Sequence, residues 1–116
     1  MTSFLIELPM VPSLNNAYAN NPRGGRYPTK QVSDWKTNAG WLVRLAKPPK
    51  IEGPYRFTLL VSKKMRGDVS NRPKLVEDLF VSLGVTPDDS MAVETTCRRD
   101  ASVLRWRCVV LVESVQ

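Results

Sequence analysis

Apolar and polar positions alternate at the start of the chain. Phe4, Ile6 and Leu8 fall on one side of an extended segment and Leu5 and Glu7 on the other, until Pro9 and Pro12 stop it. From residue 9 to residue 31 no period survives. That stretch is rich in proline, asparagine, glycine and basic residues, with Asn15, Asn16, Asn20, Asn21, Arg23, Gly24, Gly25, Arg26 and Lys30. A loop so long in a small domain is usually functional or mobile. Helical spacing then returns. Ser33 or Asp34 can cap a helix that runs to about Lys47, with Trp35, Ala39, Leu42 and Ala46 as its apolar stripe and Pro48-Pro49 as its stop.

Tyr55 to Val61 is apolar enough to be a central strand, and the basic loop Lys63-Lys64-Met65-Arg66-Gly67 follows it. Leu75, Val76, Leu79, Phe80 and Leu83 then recur on one continuous face, which predicts a second helix. Pro73 suits its first turn and Gly84 its C-terminal cap. The polar face carries Lys74, Glu77 and Asp78, with Lys74 and Asp78 one turn apart. Met91–Cys97 and Val103–Val112 predict a hairpin around Asp100-Ala101. In that register Met91, Val93, Thr95 and Cys97 face Val110, Cys108, Trp106 and Leu104, and Glu94 faces Arg107 as a cross-strand charge pair. The order β-α-β-α-β-β predicts an α/β (α+β) sandwich, with two helices packed on a mixed sheet of about four strands.

The 116 residues make one domain, 1–116, with one modest core. A chain of this size buries only about two-thirds of its unfolded surface, so pairing with a second copy would help it. No segment approaches ~18 consecutive apolar residues, so no membrane partner is expected. Met1-Thr2-Ser3-Phe4 lacks the basic start of a secretory signal, and a cytoplasmic protein is expected. The charge of +6 favours a polyanionic partner, nucleic acid first. Its distribution sharpens that expectation. Residues 68–89 hold five acids against two bases, a net −3, while the rest holds 15 bases against 6 acids, a net +9. An acidic island in a basic protein is what a cation site on a phosphate-binding surface requires. With no histidine in the chain, Ser-His-Asp and Cys-His catalysis and histidine-ligated zinc are excluded. Cys97 and Cys108 fit no zinc spacing and are expected as reduced core thiols on adjacent strands, not opposite each other.

The chemistry is therefore sought in Gly67-Asp68-Val69-Ser70-Asn71-Arg72-Pro73-Lys74, in Asp78, and in Asp88-Asp89-Ser90. Asp68 precedes the second helix and Asp89 precedes the next strand, so the returning chain can bring both to neighbouring element edges. Carboxylates suit Mg²⁺ or Mn²⁺. Such an ion polarises a phosphodiester and activates a bound water, while Lys74 could stabilise charge on the phosphoryl oxygens. Singly, each part has an ordinary explanation: a solvated turn at Asp88-Asp89, a surface pair for Lys74 and Asp78, a turn residue at Asp68 and a helix cap at Ser70 or Asn71.

The run Asp68-x-Ser70-Asn71-x-x-Lys74, the amphipathic helix with Asp78 and Gly84, and the Asp88-Asp89 pair resemble the central signature of RusA-type Holliday-junction resolvases. Leu8-Pro9-x-x-Pro12-Ser13-x-Asn15 also resembles that family's opening motif, and the likeness runs from residue 4 to about residue 110 in one register. The resemblance implies a Mg²⁺-dependent endodeoxyribonuclease, with Mn²⁺ as a possible substitute, that binds branched DNA as a homodimer. It would nick four-way junctions in recombination and repair, two strands of like polarity being cut across the two-fold axis. It assigns catalysis to Asp68, Lys74 and Asp89, and the metal to Asp68, Asp78 and Asp89. Candidates for DNA contact are Asn15, Arg23, Arg26, Lys30, Lys63, Lys64, Arg66, Asn71 and Arg72. One position departs: Ser70 stands where the family pattern has a second aspartate. Either Asp78 or Asp88 contributes in its place, with Asp78 preferred, or metal affinity is lower, or the protein binds junctions without cutting them. A structure-specific flap nuclease is a further alternative.

Overall fold

The computed structural model describes residues 2–14 and 18–115. In chain order the elements are β1 (Ser3–Pro9), β2 (Tyr18–Asn20), β3 (Arg26–Pro28), α1 (Lys30–Ala46), β4 (Tyr55–Ser62), α2 (Pro73–Ser82), β5 (Ala92–Asp100) and β6 (Arg107–Ser114). Four strands form a mixed sheet in the order β1-β6-β4-β5, and β2 pairs with β3 as a separate ribbon. The expected α+β architecture, two helices on a four-stranded mixed sheet, is what the chain forms.

The register explains why one face of the sheet is the core. Phe4, Val112, Phe57 and Thr95 lie side by side across the four strands, as do Ile6, Val110, Leu59 and Cys97, and then Leu8, Cys108, Val61 and Arg99. Side chains opposite one another on paired strands share a face, so these three rows look the same way. The helices cover them. Phe80 of α2 meets Phe4 edge-on at 5.8 Å between ring centroids and Phe57 at 6.2 Å. The Trp35 indole N–H of α1 donates to the Pro9 carbonyl at 2.9 Å, and Gly40 of α1 lies against Leu79 of α2. Each row turns polar only at its β5 end, in Thr95, Cys97 and Arg99.

The predicted hairpin of the last two strands does not form. β5 runs parallel to β4, and β6 lies antiparallel between β1 and β4. The cause is a difference in polarity between the two strands. β6 buries every second residue, Cys108, Val110, Val112 and Ser114, which suits a central strand. β5, with Glu94, Arg98 and Arg99, has no fully buried residue and suits an edge. The connection 101–106 then crosses the end of β4, anchored by the buried Val103. Glu94 consequently pairs with Arg56 of β4 at 3.5 Å, and Arg107 lies 4.0 Å from Glu7 of β1. Cys97 and Cys108 are free thiols as expected, but β4 lies between their strands, so they are not on neighbours.

Two helix details also differ from expectation. α1 starts at Lys30 rather than after Ser33 or Asp34, because Thr29 caps it, accepting the Val32 N–H at 3.5 Å. The earlier start brings Val32 into the helix. Val32, Trp35, Ala39, Gly40 and Val43 form the buried face, leaving Leu42 and Ala46 exposed. α2 matches its prediction closely. Pro73 is its first residue, and Gly84 takes a left-handed φ of 74°, so that Val85 N–H reaches the Phe80 carbonyl at 3.0 Å. Within 9–31 the β2–β3 ribbon was not foreseen. Its turn uses Gly24 and Gly25 at φ 100° and 81°, and Arg26 lies over the Tyr18 ring at 5.3 Å.

The shifted face of α1 gives a direct test. Val43→Ala should destabilise the protein by about 2 kcal/mol, since it removes fully buried methyl groups. Leu42→Ala should cost less than about 1 kcal/mol because that side chain is already exposed. Urea denaturation of both variants measures the order, and a reversed order would restore the stripe expected from sequence.

Candidate active site

The segment between β4 and α2 is held from both sides by arginines. Arg99 of β5 donates to the Met65 carbonyl and, at 2.9 Å, to the Gly67 carbonyl. Arg72 donates to the Val11 carbonyl at 3.0 Å and to the Arg66 carbonyl at 2.9 Å. Gly67 sits at φ 94°, and a Cβ there would come within 3.1 Å of the Arg72 guanidinium, so a side chain would meet both backbone strain and crowding. Asp68 follows in extended conformation and opens a short 3-10 turn, Val69–Asn71, whose Asn71 Oδ1 accepts from Ser13 Oγ at 3.3 Å. The turn leads directly into α2.

The first two turns of α2 carry the charged centre. Lys74 Nζ lies 2.5 Å from Asp89 Oδ2 and 3.2 Å from Asp78 Oδ1, so one ammonium is shared by two carboxylates. Asp78 is in reach because it is one helical turn on. Asp89 is in reach because it begins the 3-10 turn Asp89–Met91 that delivers the chain into β5. Its neighbour Asp88 has another task, accepting the Ser90 N–H at 3.2 Å to cap that turn. The Lys74 hydrogen bond, helped by Asp88, holds the Asp89 carboxyl below the usual carboxylate range, while the hydrogen bonds to Asp89 and Asp78 raise Lys74 above its ordinary value.

Beside this centre opens a cleft of about 520 Å³, bounded by Val69, Ser70, Lys74, Glu77, Thr95 and Cys97. Glu77 is the residue that the sequence reading left without a role. It is only 8% exposed, and burial pushes its carboxyl up, while a Thr95 hydrogen bond favours the ionised form. The available signal was its place on α2. It follows the buried Val76 and sits three residues after Lys74, at the border of the apolar stripe, where a carboxylate is half drawn into the core.

The expected site residues are thus distributed unevenly. Lys74, Asp78 and Asp89 come together, and Ser70 shares the cleft with Lys74. Asp68 is exposed at the start of its turn, where its charge acts on Arg72. Among the described residues, no three acidic or cysteine side chains are gathered closely enough to hold a metal ion. The donor chemistry nonetheless fits a hard divalent cation. Oxygen ligands predominate, histidine is absent, and burial pushes the Cys97 thiol up to about 11, so no thiolate competes. Among the proposed DNA contacts, Arg23, Arg26, Lys30, Lys63, Lys64 and Arg66 are exposed, although Lys30 pairs with Asp34 at 2.7 Å. Arg72 is half-buried and tied to backbone carbonyls, and Asn15 lies outside the described residues.

The family model described as "Endodeoxyribonuclease RusA" matches residues 7–112, nearly the whole chain, and the protein belongs to that family. No curated protein matches the chain. Among the described residues no helix is long and apolar enough to cross a membrane.

The shared ammonium makes a titration prediction. A carboxylate with a lowered folded pKa favours the folded state above the ordinary carboxylate range, and that contribution fades as pH falls through the lowered value. Lys74→Ala should therefore raise the Asp89 pKa toward the ordinary range, read by carboxyl-carbon NMR titration. An unmoved Asp89 would show that Lys74 is not its principal partner.

Proposed function

We propose that this protein is a divalent-metal-dependent endonuclease that binds branched DNA and nicks four-way junctions by phosphodiester hydrolysis. The observation that carries the reading is the Lys74 ammonium held between Asp78 and Asp89 at the edge of a cleft, in a basic chain of this family. Asp68, Asp78 and Asp89, which are not gathered into a closed ligand set here, supply the oxygen donors that would hold Mg²⁺, or Mn²⁺ in its place. When bound, such an ion supplies Lewis-acid polarisation of the phosphate and a more acidic water. In the hydrolysis a water oxygen bonds to phosphorus as the bond to one bridging oxygen breaks, and the water's proton passes through solvent to the leaving oxygen. Lys74 stabilises the negative charge that develops on the phosphoryl oxygens. Arg23, Arg26, Lys63, Lys64 and Arg66 contact DNA phosphates, and Asn71 and Arg72 keep the loop in place behind them.

The neutral Ser70 favours a second reading, a protein that binds junctions without cutting them. Glu77 weighs against it. Asp88 is committed to its turn, whereas the nearly buried Glu77 brings a further carboxylate into the cleft that Ser70 also lines. We assign to Glu77, ahead of Asp78 and Asp88, the charge absent at position 70.

A nicking assay with Mg²⁺ on a four-way junction, beside a flap and a linear duplex, separates these readings. Junction cutting alone supports the resolvase, equal cutting of the flap a general structure-specific nuclease, and binding without cutting the inactive form. Asp68→Asn and Asp89→Asn should each abolish cleavage with junction binding kept or tightened, since lost carboxylates repel phosphate less. Lys74→Ala should slow cleavage by ~10²-fold or more with little loss of binding. Glu77→Gln should raise the Mg²⁺ concentration needed for half-maximal cleavage, and Ser70→Asp should lower it again in that background. A metal requirement indifferent to Glu77 would return the role to Asp78.

Two cuts on strands of like polarity call for two active sites across a two-fold axis, and we infer a homodimer. Sedimentation should give about twice the 13.1 kDa chain mass. A monomer that still resolves junctions symmetrically would defeat the two-fold argument.

A further inference from the structure

A second cleft, of about 300 Å³, opens at the end of the sheet where β1 and β4 finish and β6 begins. Its character is opposite to that of the first. Lys64, Arg66, Arg72 and Arg105 line it together with Met65 and Trp106, and no lining residue is acidic. Trp106 is 72% exposed, an unusual position for an indole, and its backbone is fixed because its carbonyl accepts the Met10 N–H at 2.9 Å. The Arg105 guanidinium covers one face of that ring at 4.8 Å from the centroid. The other face has no aromatic or cationic partner among the described residues.

An exposed indole backed by a guanidinium, surrounded by cations, offers a flat apolar surface and anionic recognition at one place. That pairing matches a nucleotide, whose base has a π-face and whose flanking phosphates carry charge. A fully paired duplex keeps its bases stacked on each other and cannot offer one to Trp106. We propose that this cleft binds an unpaired nucleotide of the DNA substrate, with its base stacked on Trp106 and its phosphates held by Arg66, Lys64 and Arg105. Arg66 is two residues from Asp68, so a strand seated here passes next to the loop that bears the first carboxylate. The proposal rests on the reading of the protein as a DNA enzyme, and adds how a strand that has left its helix is gripped.

The test separates base from phosphate and needs no cleavage. Fluorescence anisotropy compares labelled hexathymidylate with an abasic backbone of the same length and charge. The wild-type protein should prefer hexathymidylate by roughly ten-fold, on the order of one base–aromatic stack. Trp106→Ala should remove the preference, Trp106→Tyr should keep part of it, and Trp41→Ala, which changes another exposed indole, should leave it intact. The exposure of Trp106 makes truncation tolerable to the fold, and a thermal melt of each variant checks this. Equal affinity for the two probes, or a preference that survives in Trp106→Ala, overturns the proposal and leaves the nuclease reading standing. A preference abolished by Trp106→Ala, in a protein that nicks no junction, supports the cleft and sinks the nuclease reading alone.

Discussion

β4 and β5 are parallel neighbours, and two parallel strands can be joined only by a crossover that leaves one end of the sheet and returns to the other. The site depends on that constraint. The crossover is α2, and its apolar face must lie on the rows that begin at Phe4, Ile6 and Leu8. Once Phe80 is seated between Phe4 and Phe57, the rotation of α2 is fixed, and Lys74, Glu77 and Asp78 have little choice of direction. The return leg then brings Asp89 to the ammonium of Lys74.

The gradient along each row does the rest. Three strands contribute apolar side chains and the edge strand contributes Thr95, Cys97 and Arg99, so the core thins into a polar border beneath α2. At such a border a carboxylate can be nearly buried and still have a hydroxyl to meet it, as Glu77 has in Thr95. The border also changes what positive charge means in this protein. Arg72 and Arg99 direct their guanidinium groups to backbone carbonyls of the 65–72 loop and of the segment after β1. The half-buried Arg72 and the exposed Arg99 are thus tied to the protein's own backbone.

Much of this was legible in the sequence, and the failures have physical causes. α2 was readable because propensity, capping and periodicity agree over a single segment: Pro73 at its start, Gly84 past its end and an unbroken apolar face. The proximity of Lys74 and Asp78 followed from helix geometry alone. The pairing of β5 was misread because opposing charges, Glu94 with Arg107, fitted a local hairpin equally well. Strand polarity, which decides centre against edge, acts over the whole sheet and not within one turn. The stripe of α1 rotated because a cap at Thr29 was passed over in favour of Ser33 and Asp34. Glu77 was passed over because a glutamate beside a lysine and an aspartate looks like solvent-facing charge. Only the third dimension shows that it is nearly buried, beside Thr95. Trp106 was placed opposite Thr95 in the expected hairpin, among largely apolar positions, where its exposure could not be seen.

The 65–72 loop ties these observations together, because its two sides face different clefts. Val69 and Ser70 border the cleft of Lys74 and Glu77, while Met65, Arg66 and Arg72 border that of Trp106. Asp68 lies between Arg66 of one set and Val69 of the other in sequence. A loop with this task has to be rigid, since a drift of its backbone would shift both surfaces together. Rigidity cannot come from regular secondary structure, because beyond the short 3-10 turn the segment has none. It comes from four carbonyl contacts made by two arginines and from Gly67, whose left-handed backbone leaves room for the Arg72 guanidinium. The stiffness of the loop and the separation of its two clefts thus have one origin. The arginines that could have been read as phosphate ligands hold in register the surfaces that would receive the phosphate.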